Sequence, residues 1–309
     1  MKHTIVVLGG SGFLGLDLCN KLKSQYGFDV VVFSRSLGCD LSTNVGQQKL
    51  QDYLLTNESC NDIVMMAAKL GAKLFDINPF DPFIENASID YKTYNTLMSI
   101  DRKFHVTYYS TSEVYGNVNP DNDNKFNALP SIDPSYPRSL YAQEKLIVET
   151  MMNYALSNNL LSSLRIFRPF NVSGYRQKRG VIFDMVKSAM NNKTIWYAAN
   201  QSREISFLDD ATSIAAKFIV DRTNGTFNLT SKNHIMLKDL AYCVKVAYEK
   251  LYPNDGCIDM KEMPYFDTYM KHRGTVSLMS TKNELDAFAS QLIDHNVISG
   301  IVETLKTMK

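Results

Sequence analysis

Tyr141 and Lys145 stand four residues apart in the run SLYAQEK. On a helix that spacing puts both side chains on one face. An ammonium beside a phenol favours the phenolate and lowers a pKa whose reference is about 10. A phenolate near neutrality is a competent base for an alcohol that is losing hydride. A second cluster lies upstream. The stretch YYSTSEVYG, residues 108–116, begins as a buried strand and then presents Thr111, Ser112 and Glu113 where the chain must turn. The third cluster is GGSGFLG at 9–15, where Gly9, Gly12 and Gly15 sit in register with Phe13 and Leu14 inside the turn. Glycines permit a tight turn and a close backbone approach, and a helix N-terminus offers free N–H groups and a positive dipole end to a pyrophosphate. A Tyr–Lys pair can be a plain helix face, and a glycine triplet can end a strand for steric reasons. The order along the chain points to one dinucleotide-dependent site: glycine turn, hydroxyl-rich strand end, Tyr–Lys helix.

Positioning these groups needs a regular scaffold, and the first half of the chain alternates accordingly. HTIVVLGG, DVVVFSRS, DIVMMAA, HVTYYST and SLRIFRPF read as strands buried on both faces. Helical periodicity runs from Gly12 to about Gln25, from about Val45 to Leu55, from about Pro82 to Ile100, and from Leu140 to about Ser157. This pattern predicts an α/β fold, a Rossmann-type doubly wound parallel sheet. REISFLDD, GTFNLTS and VISGIVETLKTM suggest a smaller C-terminal α+β substrate lobe. The expected division is 1–170 for the dinucleotide-binding domain and 171–309 mainly for the substrate lobe, with interleaving left open. The polar, Pro-punctuated run from Gly116 to Arg138 is long enough to be a flap beside a site.

Bulk properties narrow the function. With 309 residues, 45% hydrophobic and 21% charged, the chain suits a large soluble domain or two fused lobes. A net charge of +1 gives no electrostatic case for nucleic acid or an anionic membrane. No signal peptide or membrane span is visible. Five scattered cysteines without CxxC spacing predict reduced thiols in a cytoplasmic setting. The five histidines form no ligand motif, so no metal is expected.

The second strand ends in Phe33-Ser34-Arg35. NAD sites usually place an acidic residue here for the ribose 2′-hydroxyl. Ser34 cannot serve that way, whereas Arg35 can pair with a 2′-phosphate, so NADP is favoured over NAD. Asp40 and Leu41 could flank an adenine. Ala67 and Ala68 are small enough to let a cofactor lie against the backbone. All four could equally pack the fold.

Taken together, GGSGFLG at 9–15, STSEVYG at 110–116, YPRSLYAQEK at 136–145, RPFNVSG at 168–174 and REISFLDDA at 203–211 resemble the extended short-chain dehydrogenase/reductase family. That family comprises NAD(P)-dependent nucleotide-sugar epimerases, dehydratases, decarboxylases and reductases, and the resemblance covers nearly the whole chain. It implies that Thr111 hydrogen-bonds the reacting sugar hydroxyl, that Tyr141 takes its proton, and that C4 becomes a ketone. It places Ser110 and Pro169 with the cofactor. Ser112, Asn171, Arg203 and Arg273 fall to the nucleotide-diphosphate sugar, the last three at its phosphates. Glu113 matches sugar 4,6-dehydratases: the GDP-mannose type also reads Thr-Ser-Glu, and UDP-glucuronate decarboxylases read STSEVYG. Ser112 replaces the acid of the dTDP-glucose type, so Glu113 would handle both proton transfers. Asn86 matches a family Asn but lacks the Gly-Thr that usually follows. SRSLGCDLS resembles the branch of NADPH-dependent 4-reductases.

The expected reaction is therefore 4,6-dehydration, with epimerase, decarboxylase, 4-reductase and 4-dehydrogenase as alternatives. A non-catalytic NAD(P)-binding regulator is the alternative outside the class, and such proteins typically lose the Tyr and Lys kept here. The family also implies a homodimer through the helices at about 83–100 and 140–158.

Overall fold

Five β-branched runs of the sequence form five strands of one sheet: β1 (Thr4–Leu8), β2 (Asp29–Phe33), β3 (Asp62–Met65), β4 (His105–Tyr109) and β5 (Ser163–Pro169). The computed structural model describes residues 3–70, 77–115, 139–198, 201–230, 233–263 and 297–308. β1 pairs in parallel with β2 and β3, β3 with β4, and β4 with β5. All four residues of β3, and Ile5 to Leu8 of β1, are buried, as a sheet covered on both faces requires. Four helices connect or follow these strands: α1 (Phe13–Ser24), α2 (Asn44–Thr56), α3 (Phe80–Met98) and α4 (Ser139–Ser157). Each end lies within about two residues of its expected place, where helix limits are soft in any case.

The strand order is β2-β1-β3-β4-β5-β9, where β9 is Gly225–Leu229. The chain leaves β1 to one side and returns as β3 on the other. The crevice at the carboxyl ends of β1 and β3 is thus the topological switch point, where such sheets bind ligands. The fold is a Rossmann-type doubly wound parallel sheet.

The sixth strand differs from expectation. GTFNLTS reads as part of the second lobe, yet β9 (Gly225–Leu229) lies beside β5. Its polar alternation resembles an isolated strand. Its neighbour is distant in the chain, and periodicity does not reveal that.

The chain forms two compact units. Among the described residues, the first draws on 3–70, 77–114, 139–169 and 212–228. Its core joins Val6, Leu8, Ile63, Val106 and Ile166 of the sheet to Leu50, Leu97, Val148 and Met152 of the helices. The second unit contains β6 (Val172–Ser173), α5 (Val181–Asn192), β7 (Thr194–Tyr197) and β8 (Ser202–Phe207). After α6 (Leu208–Val220), which begins in this unit, come β10 (Asn233–Met236), α7 (Leu237–Leu251), β11 (Asp259–Glu262) and α8 (Val297–Met308). Its strands form the sheets β10-β8-β6 and β11-β7. Ile205, Phe207, Leu240, Val244, Ile301 and Leu305 fill its core. Among the described residues, no helix is long and apolar enough to cross a membrane.

Candidate active site

The glycine turn is shaped by its neighbours. Gly9 has φ +86°, and a Cβ there would sit 2.7 Å from the Ala67 backbone N and Cα. The segments following β1 and β3 therefore touch, and only a bare backbone fits. A Cβ on Gly15 would meet the Gly9 carbonyl oxygen at 2.6 Å, so the helix start must also be bare. Gly12 caps α1 and no side chain caps it in return. Phe13 and Leu14 open the helix.

The end of β2 is tied to this turn. Ser36 Oγ donates to Ser11 Oγ at 2.8 Å and lies 3.2 Å from Ser34 Oγ. Arg35 Nε donates to Asp40 Oδ2 at 3.0 Å, and its terminal nitrogen donates to Glu85. Asp40 also accepts from the Ser42 N–H at 3.0 Å and the Ser42 hydroxyl at 2.7 Å. Those Ser42 bonds hold its carboxyl below the usual range, with Arg35 adding to the effect against some burial. Leu41 is packed into the core. Ala67 and Ala68 are half-buried. Next to them Asn86, given no role by its sequence, clamps Lys69: its Oδ1 accepts from the Lys69 N–H at 2.7 Å and its Nδ2 donates to the Lys69 carbonyl at 3.1 Å.

The Tyr–Lys helix is anchored by residues the sequence did not single out. Lys145, on α4, is 2% exposed. Its Nζ donates to Asp90 Oδ2 at 2.8 Å, and the Tyr108 hydroxyl donates to the same oxygen at 2.8 Å. The ammonium also lies 4.9 Å from the centre of the Tyr108 ring. Glu144 Oε1 is 3.9 Å from Lys145 Nζ. Asp90 follows Asn86 by one helical turn on the buried side of α3. An ionisable residue on an otherwise packed face was the available signal.

Tyr141 is half-buried on α4. Burial pushes its phenol up to about 12; Lys145 pulls the other way, and Glu144, Glu113 and Asp90 push it further up. In the protein alone, burial therefore outweighs the lowering that the Tyr–Lys spacing predicts. Lys145 does act in that direction, but its ammonium is largely answered by Asp90, and burial dominates. Glu144 is itself pushed up to about 9, chiefly by burial, with Lys145 opposing and Asp90 reinforcing. Burial thus favours the protonated form of Glu144 beside the ammonium of Lys145.

β4 ends beside this cluster. Thr111 is buried, and its Oγ1 accepts the Glu113 N–H at 3.2 Å. That bond occupies a lone pair and leaves the hydroxyl proton to donate. Ser112 and Glu113 open a 3-10 turn, Ser112–Tyr115, with Glu113 exposed. Ser110 and Ser139 have buried hydroxyls without a partner among the described residues. Thr111, Glu113, Tyr141 and Lys145 all belong to the first unit, as does Pro169, the last residue of β5.

Asn171 and Arg203 belong to the second unit. Asn171 has φ +33°, and its Nδ2 donates to the Glu204 carbonyl at 2.9 Å. Arg203 donates to the Ser202 carbonyl at 2.7 Å and to Gln201 Oε1 at 3.0 Å. Asp209 and Asp210 occupy the first turn of α6 as a helix start. Arg273 and the run 116–138 lie outside the described residues.

A glycine turn at the switch point, with a Tyr–Lys helix beyond β4, defines a class of protein. The chain belongs to the NAD dependent epimerase/dehydratase family, whose family model matches residues 5–230. It is similar to ADP-L-glycero-D-manno-heptose-6-epimerase of Brachyspira hyodysenteriae, 23% identical over 264 residues, 79% of this chain and 81% of the relative. It is also similar to UDP-N-acetyl-alpha-D-glucosaminuronate decarboxylase of Bacillus cytotoxicus, 26% identical over 292 residues, 82% of this chain and 86% of the relative. In fold it matches the UDP-glucose 4-epimerase of Thermus thermophilus, solved with NAD, at TM-score 0.75 and 17% identity, covering 98% of each chain.

Proposed function

We propose that this chain converts a nucleotide-diphosphate sugar by oxidation at C4 followed by 4,6-dehydration. The observation that carries this reading is Glu113: its carboxylate lies in the same unit as Tyr141 and within electrostatic range of its phenol. NAD(P) fits the residues present, because a Cβ would fill the Gly9 cradle, α1 has no side-chain cap, and the Ser110 hydroxyl is orphaned among the described residues. Gly9, Gly12, Phe13, Leu14 and Gly15 would hold the pyrophosphate, with Ser34, Arg35, Asp40 and Leu41 toward the adenosine. Ala67, Ala68, Ser110, Tyr141, Lys145 and Pro169 would border the remainder. Of the two dinucleotides, Arg35 supports NADP. When bound, the oxidised nicotinamide accepts hydride and adds a positive charge.

Thr111 orients the C4 hydroxyl, and Tyr141 takes its proton, with Lys145 favouring the phenolate. The 4-keto group acidifies the adjacent C5–H bond. Glu113 removes that proton and delivers one to the departing C6 hydroxyl, which leaves as water; the hydride taken from C4 would then return to C6 and a proton from Glu113 to C5, so that the dinucleotide ends as it began and the net change is loss of water. Ser112 cannot share this task. Asn171, Arg203 and Arg273 are proposed to hold the diphosphate. Five unpaired cysteines support a cytoplasmic setting.

Glu113→Gln is expected to lower turnover by about a hundredfold, the scale of one general acid–base group, while still reducing bound cofactor when substrate is mixed in. Normal turnover would remove Glu113 from the mechanism. Product masses from a panel of nucleotide sugars test the reaction itself. Loss of water supports dehydration. Loss of carbon dioxide would install the decarboxylase reading, which the similarity to the Bacillus cytotoxicus enzyme favours. Unchanged mass with altered retention would mean epimerisation.

A homodimer is proposed through α3 and α4, which pack on each other. Ile84 and Tyr91 on α3 are 59% and 57% exposed, and Ile147 and Tyr154 on α4 are 56% and 63% exposed. Each pair is seven residues apart and so forms a stripe. Light scattering should give twice 35.0 kDa for the wild type and a monomer for Ile147→Asp/Tyr154→Lys. A monomeric wild type would remove the dimer.

A further inference from the structure

In the structure, the guanidinium that suits a 2′-phosphate is already divided between two carboxylates. Asp40 takes Arg35 Nε, and Glu85, fifty residues further along the chain on α3, takes the terminal nitrogen. The second oxygen of Glu85 accepts Lys69 Nζ at 2.7 Å. Two cations are thus balanced by two carboxylates. The group sits beside the glycine turn, because the neighbouring Ser36 is bonded to Ser11 at 2.8 Å. A 2′-phosphate carries between one and two negative charges and seeks the fork of Arg35 bidentately. It would have to compete with Glu85 for that fork, since Nε and one terminal nitrogen are already bonded to carboxylates. A bare 2′-hydroxyl makes no such demand, and a carboxylate can accept its proton.

We infer that Glu85 is a specificity-determining residue for the cofactor: by holding Arg35 and Lys69 it restrains the binding of a 2′-phosphorylated dinucleotide that Arg35 would otherwise favour. Asp40 is a poorer candidate for this role, since its other oxygen organises Ser42. Glu85 joins only the two cations in the bonds that define this cluster. Burial works against its charge, but the bonds from Lys69 and Arg35 prevail and hold its carboxyl below the usual range. The anion therefore persists at neutral pH. No motif marks Glu85, because its effect depends on a contact between α3 and the segment after β2. This inference rests on the NAD(P) reading above.

The test is calorimetric titration of NAD and NADP, and of ADP and adenosine 2′,5′-bisphosphate as probes without nicotinamide. Glu85→Gln should tighten NADP and the bisphosphate by about tenfold, the effect of freeing one charged partner, while NAD and ADP stay as in the wild type. Adding Arg35→Ala should abolish that gain. Retained NAD affinity shows that the variant is folded. An unchanged NADP-to-NAD ratio, a shift toward NAD, or a gain that survives without Arg35 overturns the inference while leaving the cofactor reading intact. Failure of both dinucleotides to bind the wild type overturns that reading, and the inference with it.

Discussion

Tyr141→Phe is expected to lower turnover by at least about a thousandfold, within the range attributed to a positioned general base. Phe preserves the ring and its half-buried packing and removes only the hydroxyl. Two of the described groups near that hydroxyl are poorly placed to replace it. Lys145 is a cation already bonded to Asp90, and Glu144 is held neutral by burial. The pH dependence follows from the sign of the shift. A phenol raised to about 12 is protonated at neutrality, so the rate should climb as pH rises toward the value it takes in the loaded enzyme. Stopped-flow reduction of bound cofactor isolates this step from dehydration. An enzyme that kept its rate without the hydroxyl would exclude the phenol as base. A variant that lost only affinity would make Tyr141 a binding residue.

How far these features are legible in the sequence follows from what each depends on. The strand Thr4–Leu8 and the helix Ser139–Ser157 are local, set by a β-branched run in one case and by periodicity in the other. The Tyr141–Lys145 spacing is likewise a property of one helix. Asp90 bonds Lys145 across 55 residues, and Glu85 meets Arg35 across 50, so neither pairing leaves a local trace. β9 lies beside β5 although residues of the second unit intervene between them in the chain, and no local pattern shows that. The direction of the Tyr141 shift escapes the sequence for a related reason. The lysine four residues away is visible there, but not the burial that outweighs it.

Burial also sets the behaviour of Glu144. The folded chain keeps its proton up to about pH 9, whereas the unfolded chain releases it near 4.5. Between those values the native state binds the extra proton, so stability falls as pH rises, by about 1.4 kcal/mol per unit for one proton. Below 4.5 both states hold the proton and the contribution is complete; above about 9 it is gone. Glu144→Gln removes this linkage while keeping a neutral side chain of the same shape. The variant should therefore gain on the wild type with each step from pH 6 to 9, reaching several kcal/mol, on the order of the full linkage. Denaturant unfolding of both proteins across that range measures the difference, and other titrating groups cancel in it. Parallel curves would mean that Glu144 is ionised in the fold. Lys145 would then sit between two carboxylates, and the counter-charge argument for the raised phenol would have to be rebuilt around both.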